Sequence, residues 1–354
     1  MPHNAYLARC LALAELGGRK VFPNPKVGSI IVYQDRIIGE GYHPYAGGPH
    51  GEVSAVQSVK EADRPLLPKS TLYVSLEPCN FFGKTPPCTD LILSNKIPHV
   101  VVGCLDPNPK VAGKGVEKLR RHGVKVELAE DPTPFQEINR HFFVNQLYKR
   151  PYITLKWAES SDGFIARWDN EGNPAPVAIT GKRSNLWVHK LRMQHHAIMV
   201  GRKTAAIDNP QLSNRHFYGG SPIRIVWDQS LRLPQSLRMF TDNSPTIVLN
   251  RMKNEQQGKV RYYQPPTETA WESLKTMLEY LYQDLGICSI FVEGGRHLLQ
   301  QFIETEQFDE LWHFRGKNAL GEGLVAPRFS GDYNESFTLQ EDKVSVVRKA
   351  IYKY

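Results

Sequence analysis

The residues best suited to chemistry lie early in the 354-residue chain: His50-Gly51-Glu52, then Pro78-Cys79 and, nine residues on, Cys88. One imidazole and two thiolates can hold Zn2+ tetrahedrally while leaving a fourth position for water. Zinc at such a site lowers the pKa of that water to about 7. Glu52, two residues past His50, would lie beside the metal without ligating it, suited to pass a proton from the water to a departing amine. Cysteines are commonly core residues. The Gly/Pro-rich loop EPCNFFGKTPPC, however, has little reason to hold two of them for packing. A structural zinc site would normally use four protein ligands, and the local sequence offers no fourth.

The surrounding pattern supplies elements that can position these groups. Leu7, Cys10, Leu11 and Ala14 recur at helical spacing over 4–16, with Asn4 as a cap. VGSIIVY (27–33) and RIIGEGY (36–42) read as a hairpin turning at Gln34-Asp35. A helix is expected from Pro49-His50, a strand over 71–76, a helix over 88–95 and a strand over 99–106. A helix over 116–123, a strand over 124–129 and one long helix over 135–149 follow. After Pro151 come strands over 151–158, 196–201, 222–228, 245–250 and 288–294. Helices fall over 183–194, 270–286 and 296–304, and two final strands are expected. Strands alternating with helices imply layered α/β domains. The boundary falls near 145–151, dividing the chain into 1–145 and 151–354. Segments 202–221 and 229–244 read as irregular binding loops.

Composition narrows the class. The formal charge of +8 is diffuse, +5 in residues 1–150 and +3 in the rest, without a Lys/Arg tract. A dedicated nucleic-acid protein usually concentrates such charge; anionic small molecules fit a mild positive field as well. No apolar run approaches the ~20 residues of a membrane span, and no basic-then-apolar leader is visible at the N-terminus. Five sparse cysteines argue against a disulfide scaffold and for a reducing cytoplasm. The expected partner is a small molecule, with no nucleic acid and no membrane, in a homo-oligomer.

HGE…PCx8C, together with PNPKVGSIIV, GEGYH, SLEPCNFFGKTPPC and LDPNPKVAGKG, resembles the deaminase half of the bifunctional riboflavin-biosynthesis deaminase-reductases. The resemblance implies a cytidine-deaminase-like three-layer domain in which His50, Cys79 and Cys88 hold zinc and Glu52 is the proton shuttle. Asn24, His43 and Lys84 match positions that contact the substrate pyrimidine and its phosphoribosyl arm. Two departures stand out. Gly51 replaces the usual alanine, and Cys79-Asn80-Phe81 replaces Cys-Ser-His, so a substrate-contacting histidine becomes Phe81.

From Pro151 onward, PYITLKWAESSDGFIA, AITG, KLRMQHHAIMVG, TAAIDNPQL, PIRIVWD and FVEGGRHLLQQFI resemble the reductase half of the same family. That implies a dihydrofolate-reductase-like α/β domain using NADPH. Under the resemblance Ala158, Thr180, Thr204, Asp208 and the Gly294-Gly295-Arg296 turn line NADPH. Lys156, Arg192, Leu212, Arg215 and Glu293 match substrate positions, Lys156 near the reacting ribose. Residues 176–180 read Pro-Val-Ala-Ile-Thr where the family has Ser-x-Trp-Ile-Thr, so only Ile179 and Thr180 persist. From the residues alone, the apolar strand ending in Gly294-Gly295 before a helix suits a phosphate, and no GxGxxG fingerprint is present.

The implied activity has two steps. The first is zinc-dependent deamination of 2,5-diamino-6-(5-phosphoribosylamino)pyrimidin-4-one. The second is NADPH reduction of the ribosyl group of 5-amino-6-(5-phosphoribosylamino)uracil to ribityl. Two alternatives stay open: a working reductase whose first half is an impaired, altered-specificity or merely structural deaminase domain, and a polynucleotide deaminase using the same zinc site.

Overall fold

The computed structural model describes residues 3–82, 86–108 and 111–351. The chain divides into two compact units, Met1–Tyr148 and Lys149–Tyr354.

The first unit runs α1 (His3–Glu15), β1 (Gly28–Tyr33), β2 (Arg36–Tyr42), α2 (Gly51–Ser58), β3 (Thr71–Val74), α3 (Cys88–Ser94), β4 (His99–Val102), α4 (Lys114–Arg121), β5 (Lys125–Leu128), α5 (Thr133–Ile138) and α6 (Arg140–Tyr148). Among the described residues its sheet has five strands in the order β2-β1-β3-β4-β5. β1 pairs antiparallel with β2 and β3, whereas β3, β4 and β5 run parallel. Ile31, Leu72, Val74, Val100 and Val102 bury one sheet face against Ala55 and Val56 of α2, Ile92 of α3 and Leu119 of α4. Glycine lets α2 sit close on that sheet: a Cβ at Gly41 would lie 2.4 Å from Ser54 Cβ.

The helix expected over 135–149 is broken at Asn139, because the side chain of Asn139 serves another segment. Its Oδ1 accepts the Lys26 N–H (2.8 Å) and its Nδ2 donates to the Lys26 carbonyl (2.9 Å). This anchors the loop that follows Asn24.

The second unit continues with β6 (Tyr152–Glu159), β7 (Phe164–Trp168), β8 (Pro174–Ala175), α7 (Lys182–Gln194), β9 (Ala197–Gly201), α8 (Arg202–Asp208), β10 (Ile223–Trp227), α9 (Arg238–Thr241), β11 (Thr246–Leu249), β12 (Glu255–Gln257) and β13 (Val260–Tyr263). It ends with α10 (Thr269–Glu272), α11 (Leu274–Gln283), β14 (Ser289–Gly294), α12 (Arg296–Glu304), β15 (Glu310–Arg315), β16 (Leu324–Val325), β17 (Glu335–Leu339) and β18 (Asp342–Arg348). The described residues form a ten-stranded sheet, β12-β13-β11-β10-β9-β14-β6-β15-β18-β17, and a small sheet, β16-β7-β8. From β13 to β15 the pairing is parallel. Both faces are covered, as parallel sheets require. Met199, Ile225 and Ile290 pack toward α11 and α12, while Ile198, Val200, Val226 and Phe291 pack toward α7 and α8.

Three expectations are corrected here. Residues 202–208 form helix α8 instead of an irregular loop, and α9 interrupts 229–244. The helix expected over 270–286 splits at Ser273, whose side chain caps α11 by accepting the Thr276 N–H.

Replacing Asn139 by alanine strips both backbone groups of Lys26 of their partner. A stability loss of about 2 kcal/mol is expected, read as a lower urea midpoint with an unchanged slope.

Candidate active sites

The first site lies beyond the carboxyl end of parallel strand β3. His50 is the residue before α2, Glu52 lies in the first turn of that helix, Cys79 lies in the loop after β3, and Cys88 opens α3. A Cβ at Gly51 would lie 2.9 Å from the Val27 carbonyl oxygen. The missing methyl group therefore matches a close approach of α2 to that backbone.

His50 Nδ1 stands 3.3 Å from Cys88 Sγ and 3.6 Å from Cys79 Sγ. The Cys88 N–H points at Cys79 Sγ (3.4 Å), and the Thr89 N–H donates to the Cys79 carbonyl (3.1 Å). One ligand atom from each of His50, Cys79 and Cys88 falls within 4.8 Å of the others. One nitrogen and two sulfurs at this separation suit zinc and supply three of the four ligands of a tetrahedral site.

The protonation pattern agrees with a crowded ligand set. Hydrogen bonding from Cys88 and His50 drives the Cys79 thiol well below its ordinary range. Cys88 moves up through that shared bond and its burial. His50 moves up mainly through its bond to Cys79. Glu52, 3% exposed, is pushed up to about 7 by burial, with the charge of Cys79 adding to it.

His43 lies beside this group, its ring centroid 5.6 Å from that of His50. Its Nδ1 donates to the Pro49 carbonyl (2.8 Å), which leaves Nε2 to accept from Asn24 Nδ2 (3.1 Å). Asn24 and His43 are thus brought together. Lys84 lies outside the described residues. Phe81 is 45% exposed, and Phe82 is exposed beside it. All five cysteines are free thiols, and Cys10, Cys104 and Cys288 are buried.

The second site is a cavity of about 790 Å3 in the second unit. It opens where β14 is inserted between β6 and β9, near the carboxyl ends of these parallel strands. This is the switch-point crevice where open α/β sheets bind ligands. Ala158, Thr180, Thr204, Asp208, Gly294, Gly295 and Arg296 all line it, as do Lys156, Arg192 and Glu293. The Gly295 N–H donates to Thr204 Oγ1 (2.8 Å), tying α8 to the start of α12. The Nε of Arg296 is buried without a partner. An unmatched cationic donor at the start of a helix suits a phosphate-bearing nucleotide.

The β14–β9 register skips Glu293. Its carboxylate takes Nε and Nη2 (2.6 Å) of Arg192, whose Nη1 donates to the Ser213 carbonyl (2.9 Å). Arg192 is therefore committed to Glu293 and to the 209–216 loop. Lys156 is half-buried, and its pKa is lowered by burial and by Arg192, with Glu293 opposing.

Leu212 and Arg215 do not line the cavity. Leu212, with φ +52°, packs in the core, and Arg215 is exposed on the same loop. Their loop is held by His189, whose Nδ1 accepts the Arg215 N–H (3.2 Å). It is also held by Arg224, which donates to the Gln211 carbonyl (3.3 Å) and pairs with Asp242. The sequence reading missed His189 and Glu77. A polar residue inside an apolar helix or strand end, WVHKL or YVSLEP, was the available signal.

The two sites define a metal-dependent deaminase joined to a nucleotide-dependent reductase. The pattern described as "Cytidine and deoxycytidylate deaminase zinc-binding region" matches residues 1–104, and that of "RibD C-terminal domain" matches residues 151–351. Riboflavin biosynthesis protein RibD of Aquifex aeolicus is 38% identical over 90% of this chain and 88% of its own. A diaminohydroxyphosphoribosylaminopyrimidine deaminase/5-amino-6-(5-phosphoribosylamino)uracil reductase from Thermotoga maritima has a solved structure that superposes with a TM-score of 0.85. It is 32% identical, covering 98% of this chain and 99% of its own. Acinetobacter baumannii RibD gives a TM-score of 0.84 at 29% identity, covering 97% and 98% of the two chains.

The chain belongs to the RibD family of bifunctional riboflavin-biosynthesis deaminase-reductases. It is a hydrolase and an oxidoreductase, with zinc and NADPH as cofactors. Family membership favours neither the polynucleotide deaminase nor the structural first half.

The purified chain should carry one zinc, counted by elemental analysis. In Cys88→Ala the affinity should fall by more than the ~10–100-fold typical of losing an outer partner, measured by chelator competition.

Proposed function

We propose that the first unit deaminates 2,5-diamino-6-(5-phosphoribosylamino)pyrimidin-4-one and that the second reduces the resulting 5-amino-6-(5-phosphoribosylamino)uracil. The observation that carries this is the buried Glu52 carboxyl in the first turn of α2, two residues from a His50/Cys79/Cys88 cluster. In this reading His50, Cys79 and Cys88 are the ligands. Zinc, when bound, makes water acidic near neutral pH. Glu52 takes a proton from the water that adds at C2 and returns it to the amine, the C2–N bond breaks, and ammonia leaves. Asn24 and His43, bonded to each other, face the pyrimidine, and Lys84 meets its phosphoribosyl arm.

NADPH, when bound, supplies a hydride to C1′ of the ribosyl group. The C1′–O4′ bond opens and the ring oxygen takes a proton, giving the ribityl chain. Ala158, Thr180, Thr204, Asp208, Gly294, Gly295 and Arg296 hold the nucleotide. Lys156, Arg192 and Glu293 form the substrate side, with Arg215 on the 209–216 loop that Arg192 holds; Leu212 packs in the core beneath that loop. Lys156, with Arg192 and Glu293 beside it, stands where a proton donor would be useful. Arg215 remains exposed for the substrate phosphate, because Arg192 is occupied by Glu293.

A small phosphate ester as substrate, with no nucleic acid partner, is supported by the diffuse charge. Among the described residues no helix is long and apolar enough to cross a membrane. A cytoplasmic homo-oligomer completes the reading; sedimentation would measure the assembly.

Glu52→Gln should lower ammonia release by roughly 10²–10⁴-fold while NADPH oxidation on the deaminated compound continues. Full-rate ammonia release would remove Glu52 from the mechanism. Phe81→His should lower the deaminase KM by about 5-fold or more if a hydrogen bond of ~1–3 kcal/mol is restored. An unchanged KM would show that Phe81 costs no contact.

A further inference from the structure

The segment that delivers Cys79 is fixed by a residue outside the ligand set. Glu77 is 4% exposed, and its carboxylate faces four backbone N–H groups. Oε2 accepts from Asp106 (3.2 Å) and Gly113 (2.8 Å), and Oε1 from Gly115 (2.9 Å) and Val116 (3.2 Å). The Glu77 N–H donates in turn to the Cys104 carbonyl (2.9 Å). One residue further on, the Pro78 carbonyl abuts Gly115 so closely that a Cβ there would lie 2.1 Å from its oxygen. Residues 77–78 are therefore clamped to the chain after β4 and to the start of α4, immediately before Cys79. Downstream, the Cys79 carbonyl and sulfur take the N–H groups of Thr89 and Cys88.

We propose that Glu77 is a positioning residue of the metal site. Its carboxylate sets where Cys79 stands, and through Cys79 it sets the coordination geometry. This rests on reading His50, Cys79 and Cys88 as the zinc ligands. The chemistry of the clamp explains why a carboxylate stands there. All four partners are donors, so acceptors are needed on both oxygens. Glutamine would keep the shape but would turn an NH2 group toward two N–H groups. A buried clamp left half-unsatisfied shifts the backbone it holds.

The test uses the full-length chain loaded with Co2+ in place of zinc. Wild type should give tetrahedral ligand-field bands and a thiolate-to-cobalt charge-transfer band. Glu77→Gln should alter those bands and weaken metal retention against a chelator by about 10–100-fold. With zinc restored, its deaminase kcat should fall while KM holds, and NADPH oxidation on the deaminated substrate should match wild type. Gly115→Ala keeps the Glu77 side chain but drives a methyl group into the Pro78 carbonyl and against Glu77 Oε1 (3.2 Å), and should reproduce the spectral change.

A Glu77→Gln protein with the wild-type cobalt spectrum and wild-type chelator resistance would overturn the proposal. Should that variant not accumulate as folded protein, an unchanged spectrum in Gly115→Ala would overturn it equally. A wild-type protein lacking the thiolate band would instead overturn the ligand assignment, and the proposal with it.

Discussion

Two thiols and an imidazole are gathered within 4.8 Å at the first site, and the two thiols are pulled apart in proton affinity. Cys79 is driven down and Cys88 up because they compete for one hydrogen bond. A divalent cation resolves that competition, and metal binding is linked to the loss of those protons. Much of the first unit serves to bring three separate pieces of chain to this point. His50 rides on α2, which lies close to the sheet because Gly41 has no Cβ, and Cys88 opens α3. Cys79 hangs from the end of β3, where β3 and β4 run parallel and leave their carboxyl ends free for loops.

The second unit meets the same difficulty, buried charge, with a different solution. Arg192 and Glu293 pair side by side, which limits the cost of removing both from water. Lys156 has the same two neighbours and is left with a lowered pKa. The Arg192 guanidinium also holds the Ser213 carbonyl. Cavity charge balance and the shape of the 209–216 loop therefore depend on the same side chain.

The ligand cluster was legible in the sequence because His-Gly-Glu and Pro-Cys-x8-Cys combine donor types that packing does not explain. Most strands were legible from β-branched runs such as GSIIVY and HVVV. What escaped was tertiary in origin. Asn139 breaks a helix that its neighbours would continue, because its amide finds both backbone groups of Lys26. Ser273 does the same by capping α11. Residues 202–208, polar with no long apolar stripe, form a helix because Ala205 is buried against β9 and Thr204 holds Gly295. Lys156 alternates with apolar neighbours as a solvent-facing lysine would, yet it faces a cavity. Alternation identifies a face of a sheet and cannot say whether water or a ligand lies beyond it. Glu77 and His189 were visible as polar intrusions in apolar segments, but their partners are backbone N–H groups that no side-chain motif records.

The two departures from the family wording in the first unit differ in physical weight. An alanine at position 51 would place its methyl 2.9 Å from the Val27 carbonyl oxygen, so glycine there follows from how closely α2 approaches the backbone just before β1. Phe81 exchanges a hydrogen-bonding ring for an exposed aromatic face. A lost hydrogen bond costs about 1–3 kcal/mol when its partner stays buried and unpaired. An aromatic side chain stacked on a planar heterocycle returns about 1–3 kcal/mol. The two magnitudes are of the same size, so an exposed aromatic ring at position 81 is not a loss on chemical grounds alone. Neither departure touches the three ligand atoms or Glu52. Position 51 falls on the backbone packing beneath the His50, Cys79 and Cys88 cluster, and Phe81 on the exposed surface two residues past Cys79.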